Sequence, residues 1–268
     1  MDRTAPARPE SLQALDRAFA LLDLLTPERP EWTTSELARA AGLPVATAHR
    51  ILGALRGHGY VARDPRTKRY RLGPAARDLG ARAGDADGLR SAALPVLERL
   101  AREADETALL TVPSERRDAS VCLARVESSQ PLRLSVEPGR RLPLHAGASQ
   151  KALLAFLAPA EVERVLAEPL PSLCTSTITD PDDLRADLGQ IRSRGWAVSH
   201  EETNAGVWGV AVPLLDVTGH AVAALGFAGP IARSGAVEPQ TQLEVLAGSA
   251  GELAAQLDLS VPEVAPWP

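Results

Sequence analysis

The sequence predicts an α+β protein in two parts: a mainly α-helical N-terminal winged helix-turn-helix, then a linking helix and a mixed α+β domain. Three observations predict it. Helical periods broken by turn chemistry fill the first sixty residues, and a short basic hairpin follows them. Beyond about residue 105, strand-like runs alternate with helical ones. Charge also divides along the chain, with 14 Lys+Arg against 9 Asp+Glu in residues 1–82 and 15 against 25 in residues 83–268. The net charge of −5 therefore hides a basic first part, which favours a polyanionic partner.

The expected first domain is 8–73, followed by a linker over 74–88 and a second domain over 89–260. A first helix runs from about Leu12 to Leu25 with Leu15, Phe19, Leu22 and Leu25 on one face, and Pro27 and Pro30 end it. Thr33-Thr34-Ser35-Glu36 reads as a capping box opening a second helix that stops at Gly42. Pro44 suits the first turn of a third helix reaching Arg56, where Val45, His49 and Leu52 lie near one another and Ile51 and Leu55 turn inward. Two strands, 60–63 and 69–72, flank Asp64-Pro65, which is turn chemistry. A linking segment and a helix from Leu89 to Ala104 come next. Strands are expected at 108–112, 121–126, 132–136, 196–200, 207–215 and 221–227, with helices at 149–157, 159–167, 181–194 and about 239–257.

A helix-turn-helix lays its second helix in the major groove, so the start of the third helix here would face base edges. Thr47 and Arg50 supply hydrogen bonds, Val45 or Ala46 meets a thymine methyl, and His49 either reads a base or bonds between helices. Thr33 and Thr34, at the mouth of the preceding helix, join the candidate DNA contacts. Arg63, Arg66, Lys68, Arg69 and Arg71 on the wing suit phosphates, which position the protein without specifying sequence.

Other classes find less support. No apolar run approaches the ~18 residues of a membrane span, residues 1–10 hold no apolar signal core, and two cysteines make no disulfide framework. A cytoplasmic protein without cofactor or metal is expected. An enzyme would need a constellation around Cys122, Cys174, His145, Ser149, His200 or Glu201-Glu202, and no recognised catalytic or metal-binding spacing supports one. A ligand sensor without DNA binding is the remaining alternative.

From about Leu12 to Leu257 the sequence resembles the IclR family of bacterial regulators. The marks are Ser35-Glu-Leu-Ala-Arg39, Ala41-Gly-Leu-Pro44, Thr47-Ala-His-Arg-Ile-Leu52, His58-Gly-Tyr-Val61, Tyr70-Arg-Leu-Gly73, Arg125-Val-Glu127, Gly139-Arg-Arg-Leu-Pro-Leu-His-Ala146, Lys151-Ala-Leu-Leu154 and Thr177-Ile-Thr179, in that order. The resemblance implies a GAF-like effector domain, dimers or dimers of dimers, and repression or activation at operator DNA. It also implies an effector pocket formed by Ala146, Gly147, Ala148, Ser149, Ser199, Val207, Gly209, Gly226 and Ala228. Relatives that sense small oxo-acids tend to carry Asp, Cys and hydroxylated residues where this chain has Ser199, Gly209, Gly226 and Ala228. Fewer polar groups and more room lead us to expect a bulkier or more apolar effector.

Overall fold

The computed structural model describes residues 10–26, 29–83, 88–233 and 239–268. Residues 8–9 of the expected first domain, Pro27, and residues 84–87 of the expected linker lie outside them. The chain forms two compact units, Met1–Ala86 and Asp87–Pro268.

In the first unit, helices α1 (Glu10–Asp23), α2 (Thr34–Ala40) and α3 (Val45–Gly57) precede an antiparallel hairpin of β1 (Val61–Arg63) and β2 (Tyr70–Leu72), then α4 (Pro74–Ala83). Thr33 and Glu36 form the capping box at α2, each accepting the other's backbone N–H. Gly42 takes φ +65 just past α2, a left-handed turn that a side chain would strain. Leu21, Leu25, Leu37, Leu52, Val61 and Tyr70 build the core.

Two inward faces differ from expectation. On α1 the structure buries Leu21 and Leu25, while Leu15 and Phe19 are 55% and 60% exposed. That helix carries apolar residues on more than one side, so periodicity alone does not choose its face. On α3, Ile51 and Leu55 pack against the core as expected, but Leu52 is buried with Ala48 and so parts from Val45 and His49, which are turned to solvent.

In the second unit, α5 (Leu89–Ala104), β3 (Thr107–Pro113), β4 (Ala119–Val126), β5 (Arg141–Pro143), α6 (Ala148–Ala155), α7 (Pro159–Ala167) and α8 (Pro181–Arg194) come first. They are followed by β6 (Ala197–His200), β7 (Val207–Leu215), β8 (Ala221–Pro230) and α9 (Pro239–Gln256). The six strands form one sheet in the order β5-β4-β3-β8-β7-β6, with every pairing antiparallel. Alternation sends Val210, Val212 and Leu214 of β7 towards α5 and α9, and Ala211 towards α6, α7 and α8. Small residues on that second face, Ala211 and Ala224, let α6 seat close to the sheet.

The expected strand over 132–136 is not a strand. That stretch is irregular, and the strand that pairs with the outer edge of β4 is instead the short β5 at Arg141–Pro143. Its carbonyls bond to side chains, with Thr107 Oγ1 donating to Leu134 O at 2.7 Å and Arg125 donating to Val136 O.

Candidate nucleic-acid interface and effector cavity

Helix α3 is rooted by Ala48 and Leu52 and presents Val45, Ala46, His49 and Arg50 to solvent, with Thr47 half-buried. Val45 is 52% exposed at the first position of the helix, an apolar side chain standing in water. On the hairpin, Asp64 Oδ1 accepts the N–H groups of Arg66 and Thr67 at 2.7 and 2.8 Å. Those bonds hold its carboxyl below the usual carboxylate range. Lys68 completes the turn at φ +59, and Arg66, Lys68 and Arg71 stand exposed.

Other expected contacts are engaged within the unit. Arg63 Nε donates to Lys68 O at 3.2 Å, and its guanidinium lies 5.6 Å from the centre of the Tyr70 ring. Arg69 donates to Glu31 O at 3.3 Å and stands 3.6 Å from Glu36 Oε2. The Thr33 hydroxyl donates to Glu36 Oε2 at 2.8 Å, and Thr34 is half-buried. Bonds from Thr33 chiefly, with Arg69 and Arg29 adding to them, hold the Glu36 carboxyl below its usual range. Arg29 and Arg39, which sequence reasoning passed over, border a surface groove beside α2 with Trp32. Arg29 stacks 3.4 Å above that ring. The readable signal was a basic residue on either side of the capping box.

In the second unit a cavity opens on the α6 side of the sheet. Its volume, counted where the centre of a water fits, is about 60 Å³, several times the ~10–15 Å³ one water needs. Gly147, Ala148, Ser149, Ser199, Val207, Gly209 and Ala228 line it. Ala146 and Gly226 are not among its lining residues. A Cβ at Gly226 would meet Val210 O at 2.5 Å, Ala211 Cβ at 3.0 Å and Ser149 Oγ at 3.2 Å. At Gly209 it would meet Ala228 Cβ and Phe227 O, both at 3.1 Å. The room expected at these glycines is thus taken by neighbouring strands and by α6, so neither glycine adds space for a larger ligand.

The cavity draws its apolar character elsewhere, from Leu109, Leu134, Val136, Leu142 and Val207. Thr111, Gln150, Thr203 and Asn204 add polar groups that sequence reasoning missed. They come from another strand or from positions next to the marked residues, so no local motif announces them. Cys122 also lines the wall, and burial pushes its thiol up to about 11, keeping it protonated. His145 Nε2 bonds Pro171 O at 2.9 Å.

A buried ionic group fixes the start of α6. Glu202 accepts the Gly147 N–H at 2.9 Å and pairs with Lys151 Nζ at 2.6 Å, which also stands 2.8 Å from Asp187. Gly147 reaches this bond at φ +100, a conformation that favours glycine.

Comparison with known proteins agrees with this architecture. The family model for the IclR helix-turn-helix domain matches residues 14–65, and that for the bacterial transcriptional regulator IclR C-terminal region matches residues 82–255. The chain is 36% identical over 223 residues to the HTH-type transcriptional regulator BhcR of Paracoccus denitrificans, covering 83% of this chain and 79% of the relative. It is 30% identical over 231 residues to the transcriptional repressor IclR of Escherichia coli, covering 86% and 84%. Among solved structures, an IclR regulator from Silicibacter superposes with a TM-score of 0.84 at 29% identity, covering 95% of this chain and 100% of that one. An IclR homologue from Microbacterium hydrocarbonoxydans, complexed with 4-hydroxybenzoate, superposes with a TM-score of 0.78 at 31% identity, covering 91% and 99%. The chain belongs to the IclR family of bacterial transcriptional regulators, with a DNA-binding helix-turn-helix domain ahead of an effector-binding C-terminal domain.

Proposed function

We propose that α3 is the recognition helix and that the α6-side cavity takes a small organic acid with an apolar body, whose binding changes operator affinity. The observation carrying the first part is the solvent-facing row Val45, Ala46, His49 and Arg50 on a helix rooted in the core, backed by exposed Arg66, Lys68 and Arg71. Thr47 completes that row. Thr33, Thr34, Arg63 and Arg69 orient it, and Arg63 and Arg69 keep guanidinium nitrogens for phosphates. The second part rests on the five aliphatic residues of the cavity wall, and the 4-hydroxybenzoate held by the Microbacterium relative is an acid of this kind. Two copies would set paired recognition helices about 34 Å apart on a two-fold operator. A regulator of this kind works beside the genome, in the cytoplasm.

Gel shift with the upstream region of the protein's own gene, with and without 4-hydroxybenzoate or glyoxylate, tests the reading. Retarded DNA that 4-hydroxybenzoate alters more than glyoxylate does is the expected result. No retardation at low salt would sink the DNA assignment, and a stronger glyoxylate effect would sink the ligand class.

A further inference from the structure

The outer wall of the cavity is the irregular stretch 128–136, whose Leu134 and Val136 line the space. Three consecutive residues hold it: Asp105 and Glu106 between α5 and β3, and Thr107 at the first position of β3. Asp105 accepts Ser128 Oγ on its carbonyl at 2.8 Å and Gln130 Nε2 on its carboxylate at 2.5 Å. Glu106, 2% exposed, bonds twice to Arg233, at 3.0 and 2.6 Å, and Arg233 in turn donates to Leu132 O at 2.6 Å. Gly229 leaves the space that the Glu106 carboxylate fills, since a Cβ there would overlap it. Thr107, fully buried, donates to Leu134 O at 2.7 Å and accepts the Ser128 N–H at 3.3 Å. With Arg125 on Val136 O, the alternate carbonyls 132, 134 and 136 each end on a side chain rather than on a strand.

Such point contacts differ physically from a ladder. The pairings of β3 with β4 and β8, and of β4 with β5, are complete without this stretch, so it can lift without opening the sheet. Asp105, Glu106 and Thr107 follow directly on α5, where Asp105 is the C-cap.

We propose that Thr107, with the Glu106–Arg233 clamp, positions the effector cavity: together they latch residues 128–136 as a movable wall and tie its position to the end of α5. The inference rests on reading the cavity as the effector's site. Cys122, 5% exposed within the cavity, reports on the wall, and Cys174→Ser leaves it as the sole thiol of the full chain.

In that background we expect Thr107→Val and Arg233→Met each to raise the rate of Cys122 labelling by N-ethylmaleimide at least ten-fold. Thr107→Ser, which keeps the hydroxyl, should label at the parent rate. Leu246→Ala in the α9 core controls for general loosening and should stay within two-fold of the parent. Saturating 4-hydroxybenzoate should slow labelling of the parent, and in Thr107→Val it should shift operator affinity less than a third as far as in the parent. Thr107→Val and Arg233→Met labelling no faster than Leu246→Ala would overturn the latch. Expected rates without ligand, combined with no effect of 4-hydroxybenzoate on labelling or operator binding, would support the latch and overturn the ligand reading.

Discussion

Glu106 shows how one buried carboxylate can set a pH response. Burial raises its pKa above the ordinary value of 4.5, against the opposing pull of Arg233. A raised folded-state value means that this group's contribution to stability is fully present below the ordinary value. It is lost as pH rises through the folded value. Glu106→Gln cannot ionise, so the melting temperature of the variant relative to wild type should climb with pH from about 4.5 upward. A difference that is flat or falls across that window, read by calorimetry, would contradict the assignment. Lys151 makes a second case. Its side chain is 3% exposed between Glu202 and Asp187, and Lys151→Met would leave two carboxylates without their cation. Breaking a buried pair from one side costs about 3–5 kcal/mol, and urea unfolding should show a loss of that size.

Among the elements, the recognition helix and the wing should separate in their response to mutation. Arg66 sits exposed in the turn of the hairpin, and under the proposed reading it meets phosphates whatever the sequence. Arg66→Ala should weaken operator and unrelated DNA alike and flatten the dependence of log affinity on log salt by about 0.9. Arg50→Ala, on α3, should instead reduce discrimination between the operator and a mismatched site by about 1–3 kcal/mol. Titrations between 50 and 200 mM salt distinguish these outcomes, and an Arg66→Ala loss confined to the operator would reverse the roles. These elements were legible because their determinants are local: Thr33 and Glu36 three residues apart, Gly42 at a left-handed turn, Asp64 folding the hairpin over its own amides. The wall over the cavity was not. Leu132-Arg-Leu-Ser-Val136 alternates like a strand, yet its carbonyls are taken by side chains of other elements, Thr107 and Arg125 before it and Arg233 far beyond it. The glycines misled for the same reason, since Val210, Ala211 and Ala228 fill the space beside Gly209 and Gly226 only once the sheet has formed.

At the scale of the whole molecule, the two units have cores that share no residue, one drawn from positions 21–70 and the others from 93–254. Their charge balances are opposite, so one part attracts DNA while the other repels it. We expect each of the two compact units to unfold in a step of its own, because cooperativity follows shared packing. Tryptophan placement makes this measurable: Trp32 lies in the first core, and Trp196 and Trp208 lie in the second unit's core with Trp267 packed against it. In Trp32→Phe the fluorescence follows only the second unit, and the difference from wild type isolates the first. We expect two transitions. A ligand at 100 times its Kd stabilises the state that binds it by about 2.7 kcal/mol, or roughly 2–4 °C per kcal/mol for a unit of about 180 residues. With 4-hydroxybenzoate, that shift should appear in the Trp32→Phe signal and be absent from the Trp32 component, while operator DNA should do the reverse. Equal movement of both components would mean that the units unfold together, and the effector would then act on DNA affinity through shared stability instead of through a local change at α5.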